Sequence, residues 1–325
     1  MSNGLAYTGV VIDIQPIAGA DRIVSAKVAC GHGGIWNVVV PIGLETGHRM
    51  TVFLPDALLP QVPELAFMEK DKYRVRMRRM KGAPSEALAV TDFVGDHKPG
   101  DDVTEELGVT KYEKPIPMGL QGEIVGYFPD HLIHRTDEPR VQLVPEMLEM
   151  LQGVPCTVTL KIDGSSITTI NDGVSDHIRV CSRNVELRYA PNNLAWKLTL
   201  DNGFDKKLYH GSAVQWELAG PKVQDNRLQL KQHRAYVFNL YDMSTRAYLS
   251  YPEMLDSQFA EYLVPAIWRG RLHADQVALQ EMADSVRYGN NPGEGIVVRP
   301  DYDMRTPAGD RVSFKVISLL YKEAK

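Results

Sequence analysis

Lys161-Ile162-Asp163-Gly164 stands at the end of the apolar run 154–160 and is followed by Ser165-Ser166. A lysine leaving a strand beside an acid and a glycine can be a nucleophile rather than a surface cation. Its reference pKa of about 10.4 keeps the free amine protonated, so it must be partly desolvated or set near other cations to react near neutral pH. The end of a strand lining a pocket supplies that setting. An ordinary polar turn reads the same over four residues, so the meaning rests on what accompanies them. Farther along, charged side chains sit in or beside apolar strands, where burial is unfavourable unless each meets a partner, a metal or a ligand. Arg183 and Asn184 follow the run 178–182, Glu217 lies between Trp216 and Leu218, Phe238 is inside 236–242, Glu294 opens 294–299, and Lys315 is inside 313–318. Singly, Glu217 is half of a buried ion pair, Phe238 a core aromatic, Glu294 a turn, Arg183 a cap and Lys315 an edge-strand gatekeeper. Together they make a reactive amine, two carboxylates for a divalent ion, cations for phosphate and an aromatic face for a base. That is what nucleotidyl transfer requires.

These residues must be positioned by elements that the pattern also predicts. From Tyr7 to about Val109 the chain runs in short β-like pieces: 9–14, 23–28, 36–41, 50–53, 73–78 and 87–90. Gly, Pro and Asp punctuate them, with a turn at 17–21 and a hairpin loop at Gly31-His32-Gly33-Gly34. Five or six such strands fit an OB-like barrel over 1–113 better than a sandwich, which needs about seven. Lys114-Pro115-Ile116-Pro117-Met118-Gly119 has no periodicity and opens a linker over 114–127. Residues 128–325 read as an α+β domain built on antiparallel sheets with flanking helices. Strands are expected at 157–160, 166–170, 178–181, 212–218, 235–241, 295–298 and 311–316, and helices at 143–151, 194–200, 252–261 and 274–285.

The length of 325 residues leaves room for two domains, and 44% hydrophobic with 24% charged residues is the composition of a soluble globular chain. No run approaches eighteen apolar residues and the first residues lack a signal-peptide order, so a cytoplasmic protein without a membrane partner is expected. Cys30, Cys156 and Cys181 are odd in number and widely spaced, which argues against a disulfide framework and a thiolate metal site, so they read as small core hydrophobes. The net charge of −5 argues against coating nucleic acid by charge alone, but a local basic row survives that test. Lys70, Lys72, Arg74, Arg76, Arg78, Arg79 and Lys81 form such a row. Its i, i+2 spacing through Arg78 predicts several cations on one strand face, suited either to a phosphate backbone or to a guarded edge.

The ordered set Lys161, Arg183, Glu217, Phe238, Glu294 and Lys315 resembles motifs I, Ia, III, IIIa, IV and V of the covalent nucleotidyltransferase superfamily of RNA ligases, DNA ligases and mRNA capping enzymes. Ser182-Arg183-Asn184, Glu217-Leu218-Ala219-Gly220 with Gln224 and Asn226, and Phe314-Lys315-Val316-Ile317-Ser318 look like ATP-dependent RNA ligases. The resemblance covers roughly Phe128 to the C-terminus. DNA ligases and capping enzymes carry an OB domain after motif V, whereas here the barrel precedes the transferase domain. That order is similar to the RNA ligase group exemplified by the Deinococcus and Naegleria enzymes, which seal 3′-OH/5′-phosphate nicks. Gly82 to Leu88 looks like a G-x-x-S-x-G-L segment of that group's first module, with Ala87 where glycine is usual. Leu160 stands where a glutamate is common, and Ile317 where a second lysine is common. Arg311 or Lys322 would then supply the second cation.

The resemblance implies Lys161, Asp163, Glu217, Glu294 and Lys315 as catalytic residues. Lys161, Gly164, Arg183, Glu217, Phe238, Glu294 and Lys315 would bind ATP, and Glu217, Glu294 and Asp163 would hold Mg²⁺ or Mn²⁺. Arg74, Arg76, Arg78, Lys81, Arg183 and Asn184 would face RNA ends or a nicked duplex, with the protein a monomer. A DNA ligase, a guanylyltransferase of the capping type and a catalytically idle RNA-binding relative are the rival readings. The first two lack their C-terminal barrel here, and an intact lysine with both carboxylates counts against the third.

Overall fold

The computed structural model describes residues 4–112, 123–175 and 177–321. The residues Lys114 to Gly119 and Lys322, singled out above, lie outside them. The described chain forms two compact units, one holding the residues up to 112 with Gln142–Pro145 and the other the remainder. Among the described residues no helix is long and apolar enough to cross a membrane.

The first unit is built on a five-stranded antiparallel sheet in the order Ile35–Pro41, Ile23–Ala29, Ala6–Pro16, Arg49–Phe53 and Leu88–Val90. Period-2 alternation drives it: Trp36, Val38 and Val40 turn inward from one strand and meet Val11, Val28, Met50 and Val52 in a single core. The Gly31–Gly33 loop between two of the strands is one turn of 3-10 helix. The segment after Gly82 draws the free edge of the sheet shut. The Ser85 hydroxyl accepts the Val39 N–H at 3.0 Å, and the Glu86 carboxylate accepts the Asn37 N–H at 3.1 Å and its side-chain amide at 2.6 Å. Ala87 is buried in the core at the position where glycine is usual.

The expected strand at 73–78 does not form. Lys72 and Tyr73 both have left-handed backbone, which breaks an extended run, and the strand begins only at Arg78–Met80. It pairs with Ala83–Ser85 across a tight turn at Lys81 and Gly82, both with positive φ, the requirement of a type I′ hairpin. The i, i+2 argument for one cationic strand face is therefore lost. Arg74 instead pairs with Asp56 at 2.5 Å and covers the Tyr112 ring, and Arg78 pairs with Asp71 at 2.5 Å.

The second unit holds two antiparallel sheets. The larger has seven strands, in the order Ile124–Tyr127, Val185–Leu187, Arg179–Ser182, Ser165–Asn171, Ser212–Ala219, Arg234–Asp242 and Ala247–Tyr248. Helices Leu194–Asp201 and Phe204–Lys207 pack on one face around Trp196, Phe204, Trp216 and Phe259, and Phe128, Ile133, Ile170 and Tyr241 line another cluster. The smaller sheet orders Ala266–Arg271, Pro155–Leu160, Gly295–Pro300 and Phe314–Ile317, with helix Gln276–Ser285 beside it. Most expected elements appear within a few residues of their predicted bounds. The helix expected at 143–151 is Pro145–Met150. That expected at 252–261 is split into Tyr251–Leu255, opened by a Ser250–Glu253 capping box, and a 3-10 turn at Ala260–Tyr262. Ile124–Tyr127, within the stretch read as linker, is a strand, and the edge strand Ala266–Arg271 had no pattern to announce it because most of its residues are exposed. All three cysteines are buried and free, and burial above all pushes each thiol up to about 12.

Candidate active site

The nucleophile candidate sits at the crossover between the two sheets. Strand Pro155–Leu160 of the smaller sheet ends one residue before Lys161, and strand Ser165–Asn171 of the larger sheet begins one residue after Gly164. Two neighbouring strands then deliver the carboxylates. Leu160 pairs with Ile296 and the Lys161 N–H donates to the Gly295 carbonyl at 2.9 Å, which brings Glu294 alongside. Ser166 pairs with Glu217 across the larger sheet. Such an approach leaves no space for side chains at the glycines. A Cβ on Gly164 would lie 2.3 Å from the Leu218 carbonyl oxygen, and one on Gly295, whose φ is +145°, would lie 2.1 Å from that of Val316.

Lys161 Nζ donates to Glu294 Oε1 at 2.6 Å. Burial disfavours its charge, but Glu294, then Glu217 and Asp163, outweigh that penalty and hold its pKa above the ordinary lysine value. Glu217 responds in the opposite sense. Burial first, and then the like charges of Glu294 and Asp163, push its carboxyl up to about 8 against the attraction of Lys161 and Arg183. Asp163, 8% exposed, is also raised, by burial and by Glu294, although Tyr321 and Arg227 pull the other way. Its Oδ2 has no hydrogen-bond partner, and Arg227 Nε stands 3.8 Å from it. Tyr288 donates its hydroxyl to the Lys161 carbonyl and fixes the crossover from outside.

Phe238 is half-buried and packs in the cluster of Ile162, Ala219 and Leu160, so an aromatic face does border the lysine crossover. Leu160 is part of that packing, which explains an apolar residue there. Lys315 is half-buried, and desolvation lowers its pKa while Asp137 opposes the fall and Lys161 and Arg140 add to it. Its Nζ is 3.3 Å from Asp137 Oδ1, and the other oxygen of Asp137 is 3.0 Å from Arg183 Nη2. Asn184 offers its carbonyl to the Phe128 N–H. Arg311 does not face this cluster: it donates to Asn239 at 2.9 Å, covers the Tyr248 ring at 4.0 Å and interacts with Glu138.

With this geometry in place, the chain can be compared with known proteins. The RNA ligase family model matches residues 154–317, which spans all the strands just described. The chain belongs to the RNA ligase family. Three solved structures of the Naegleria gruberi RNA ligase, each with a single alanine substitution, align over nearly all of it. An apo form is 30% identical with a TM-score of 0.77, covering 98% of this chain and 97% of that one. A form with ATP and Mn is 31% identical with a TM-score of 0.77, and a form with AMP and Mn is 31% identical with a TM-score of 0.78, each covering 97% of both chains. No curated protein matches the chain in sequence.

Residues that sequence reasoning missed now stand out in this RNA ligase. Arg227, Tyr288 and Tyr321 surround the Lys161–Asp163 pair, with the Arg227 guanidinium 4.3 Å from the Tyr321 ring centroid. Arg227 is delivered by a loop in which Lys222, Gln224, Asn226 and Gln229 all have left-handed backbone, and Gln224 donates to the Gly164 carbonyl at 3.1 Å. Strain of that density is a feature of functional loops. Asp137 and Arg140 belong to a segment without periodicity. The one signal was charge density, four charged residues among Arg135, Thr136, Asp137, Glu138, Pro139 and Arg140.

Proposed function

We propose that this ATP-dependent RNA ligase seals 3′-OH/5′-phosphate RNA ends, nicks in a duplex above all, through a lysine–AMP intermediate on Lys161. The observation that carries the reading is the Lys161 amine held 2.6 Å from Glu294 at the junction of two sheets, with Glu217 and Asp163 acting on the same charge. The neutral Lys161 amine attacks the α-phosphorus of ATP, a P–N bond forms as the P–O bond to pyrophosphate breaks, the nitrogen gives up one proton to solvent, and the lysine becomes a carrier of AMP. AMP passes next to the 5′-phosphate of RNA, and the 3′-OH then displaces AMP as the phosphodiester closes. Lys315 meets charge developing on the α-phosphate oxygens, Arg183 the nucleotide or the RNA end, and Phe238 the adenine face.

The relatives solved with ATP or AMP and Mn support ATP and a divalent ion as the cofactors. The residues here fit such an ion. Among the described residues no three acidic, His or Cys side chains form a chelating group, so an ion here would keep several waters. Glu217, Glu294 and Asp163 would then hold it partly through those waters, and Asp163 Oδ2, which accepts no hydrogen bond, is a ready acceptor. The charge of a bound Mg²⁺ or Mn²⁺ would offset the carboxylates that keep Lys161 protonated and so favour the neutral amine. Glu217 would release its proton as the ion binds.

We read the first unit as the OB-like barrel expected over 1–113, a reading that its five-stranded antiparallel sheet supports, and its RNA-facing candidates are narrowed by the ion pairs of Arg74 and Arg78. Lys81 is exposed at the hairpin tip and Arg76 is half-exposed, so these two are the stronger candidates. Incubation with α-labelled ATP tests the central step. The wild-type chain takes up label and Lys161→Ala does not; label on the alanine variant would end the assignment.

A further inference from the structure

One segment of the second unit without regular structure, His134 to Arg140, ties the motif-bearing strands together. The His134 carbonyl accepts from Gln215 Nε2 at 2.9 Å, Thr136 shares a 2.7 Å hydrogen bond with Ser166, and Glu138 accepts from Arg299 at 2.6 Å. The Pro139 carbonyl accepts the Lys315 N–H at 2.8 Å. Gln215 and Ser166 belong to the larger sheet, Arg299 and Lys315 to the smaller. At the middle of this strap Asp137 places one carboxylate oxygen on Lys315 and the other on Arg183, at 3.3 and 3.0 Å. Lys315 is half-buried in a strand of the smaller sheet, and Arg183, its side chain 54% exposed, follows strand Arg179–Ser182 of the larger sheet. Without a shared counter-charge they would repel each other, and the long Arg183 side chain would be free to swing away.

We propose that Asp137 is a positioning residue for adenylyl transfer, yoking Lys315 and Arg183 into one fork that meets the phosphate. The inference rests on the reading of Lys315 and Arg183 as phosphate-directed cations. The ammonium has three donors and the guanidinium five, so each can hold the carboxylate and a phosphate oxygen at once. The yoke has a second effect. Lys315 also faces the positive charges of Lys161 and Arg140, and burial lowers its pKa further, so Asp137 is the charge that sustains its protonated form.

The test is single-turnover formation of the lysine–AMP adduct from α-labelled ATP, followed over ATP concentration and over pH, for the wild type, Asp137→Asn and Asp137→Glu. The asparagine keeps shape and loses charge. We expect its rate at saturating ATP to fall on the order of tenfold to a hundredfold, with a smaller change in the ATP concentration for half-maximal rate. The alkaline limb of its pH profile moves to lower pH, because Lys315 gives up its proton sooner. The glutamate variant recovers part of the rate. An asparagine variant with wild-type rate and pH profile would overturn the role, as would one that only melts earlier while both stay unchanged. A wild-type chain that forms no adduct would instead sink the reading beneath it.

Discussion

At the scale of single residues, the site is organised by charges that cannot all be satisfied at once. Lys161 keeps its proton because Glu294, Glu217 and Asp163 surround it, and Glu217 keeps its own because it is desolvated, with the other two carboxylates near. The consequence for stability has a definite sign. A carboxyl raised from about 4.5 to about 8 by folding favours the folded state fully below the lower value, and that contribution is lost as pH rises through about 8. Melting followed from pH 6 to 9 therefore slopes downward, and Glu217→Gln flattens the slope and raises the melting temperature at pH 9 by a few degrees. An unchanged slope in the variant would assign the pH dependence elsewhere. Lys161, Glu217, Glu294 and Lys315 were visible in the sequence because a charged residue inside an apolar strand is a local anomaly. Asp137, Arg227, Tyr288 and Tyr321 were not. Each lies in a loop or a short ladder where a polar residue is unremarkable, and only the fold brings it to the lysine.

At the scale of elements, the lysine crossover works because two strands pass it at backbone contact distance. Alanine at Gly164 or Gly295 puts a methyl inside the van der Waals shell of a carbonyl oxygen, and at Gly295 adds backbone strain. Each substitution should cost about 1–3 kcal/mol and reduce adenylylation together with stability. Gly126→Ala, with open space around its Cβ, should stay within about 0.5 kcal/mol of the wild type in denaturant titrations. In the first unit the analogous element is the Ser85–Glu86 seam. Loss of the carboxylate in Glu86→Ala leaves the Asn37 amide donors without it and should cost about 1–3 kcal/mol by the same measurement. Strand positions were legible wherever apolar alternation was strong, as in 35–41 and 212–219. They were misread at 73–78, where alternating arginines imitate a strand while two left-handed residues before them, Lys72 and Tyr73, carry no sequence signal.

At the scale of the whole molecule, the two-sheet unit is joined by more than its crossover. Glu138 is one of these joints: burial would raise its pKa, yet Arg299, Arg311 and Ser313 bring it down to about 2. A depressed carboxyl contributes stability that is present above its unfolded value and is lost as pH falls through about 2. Glu138→Gln should thus melt earlier than the wild type at pH 7, and the two curves should converge in strong acid; parallel curves would exclude the ion cluster as the cause. For RNA, an acidic chain that binds a polyanion must do so through local cations. Arg76→Glu with Lys81→Glu should weaken nick binding and reduce the dependence of affinity on salt, while leaving adduct formation intact. Most strands of both units were readable from apolar alternation and turn spacing. The strap from His134 to Arg140 was not, because a segment whose role is to bridge has no period of its own.

The three buried thiols also make the molecule convenient to instrument. With every native cysteine shielded and its thiol pushed up to about 12, the folded protein presents almost no thiolate to a maleimide at neutral pH. A single cysteine placed at the exposed Lys81 hairpin tip would then take a fluorophore alone, in an otherwise native chain. Such a dye would test for RNA at that tip in real time, separately from any label carried by Lys161.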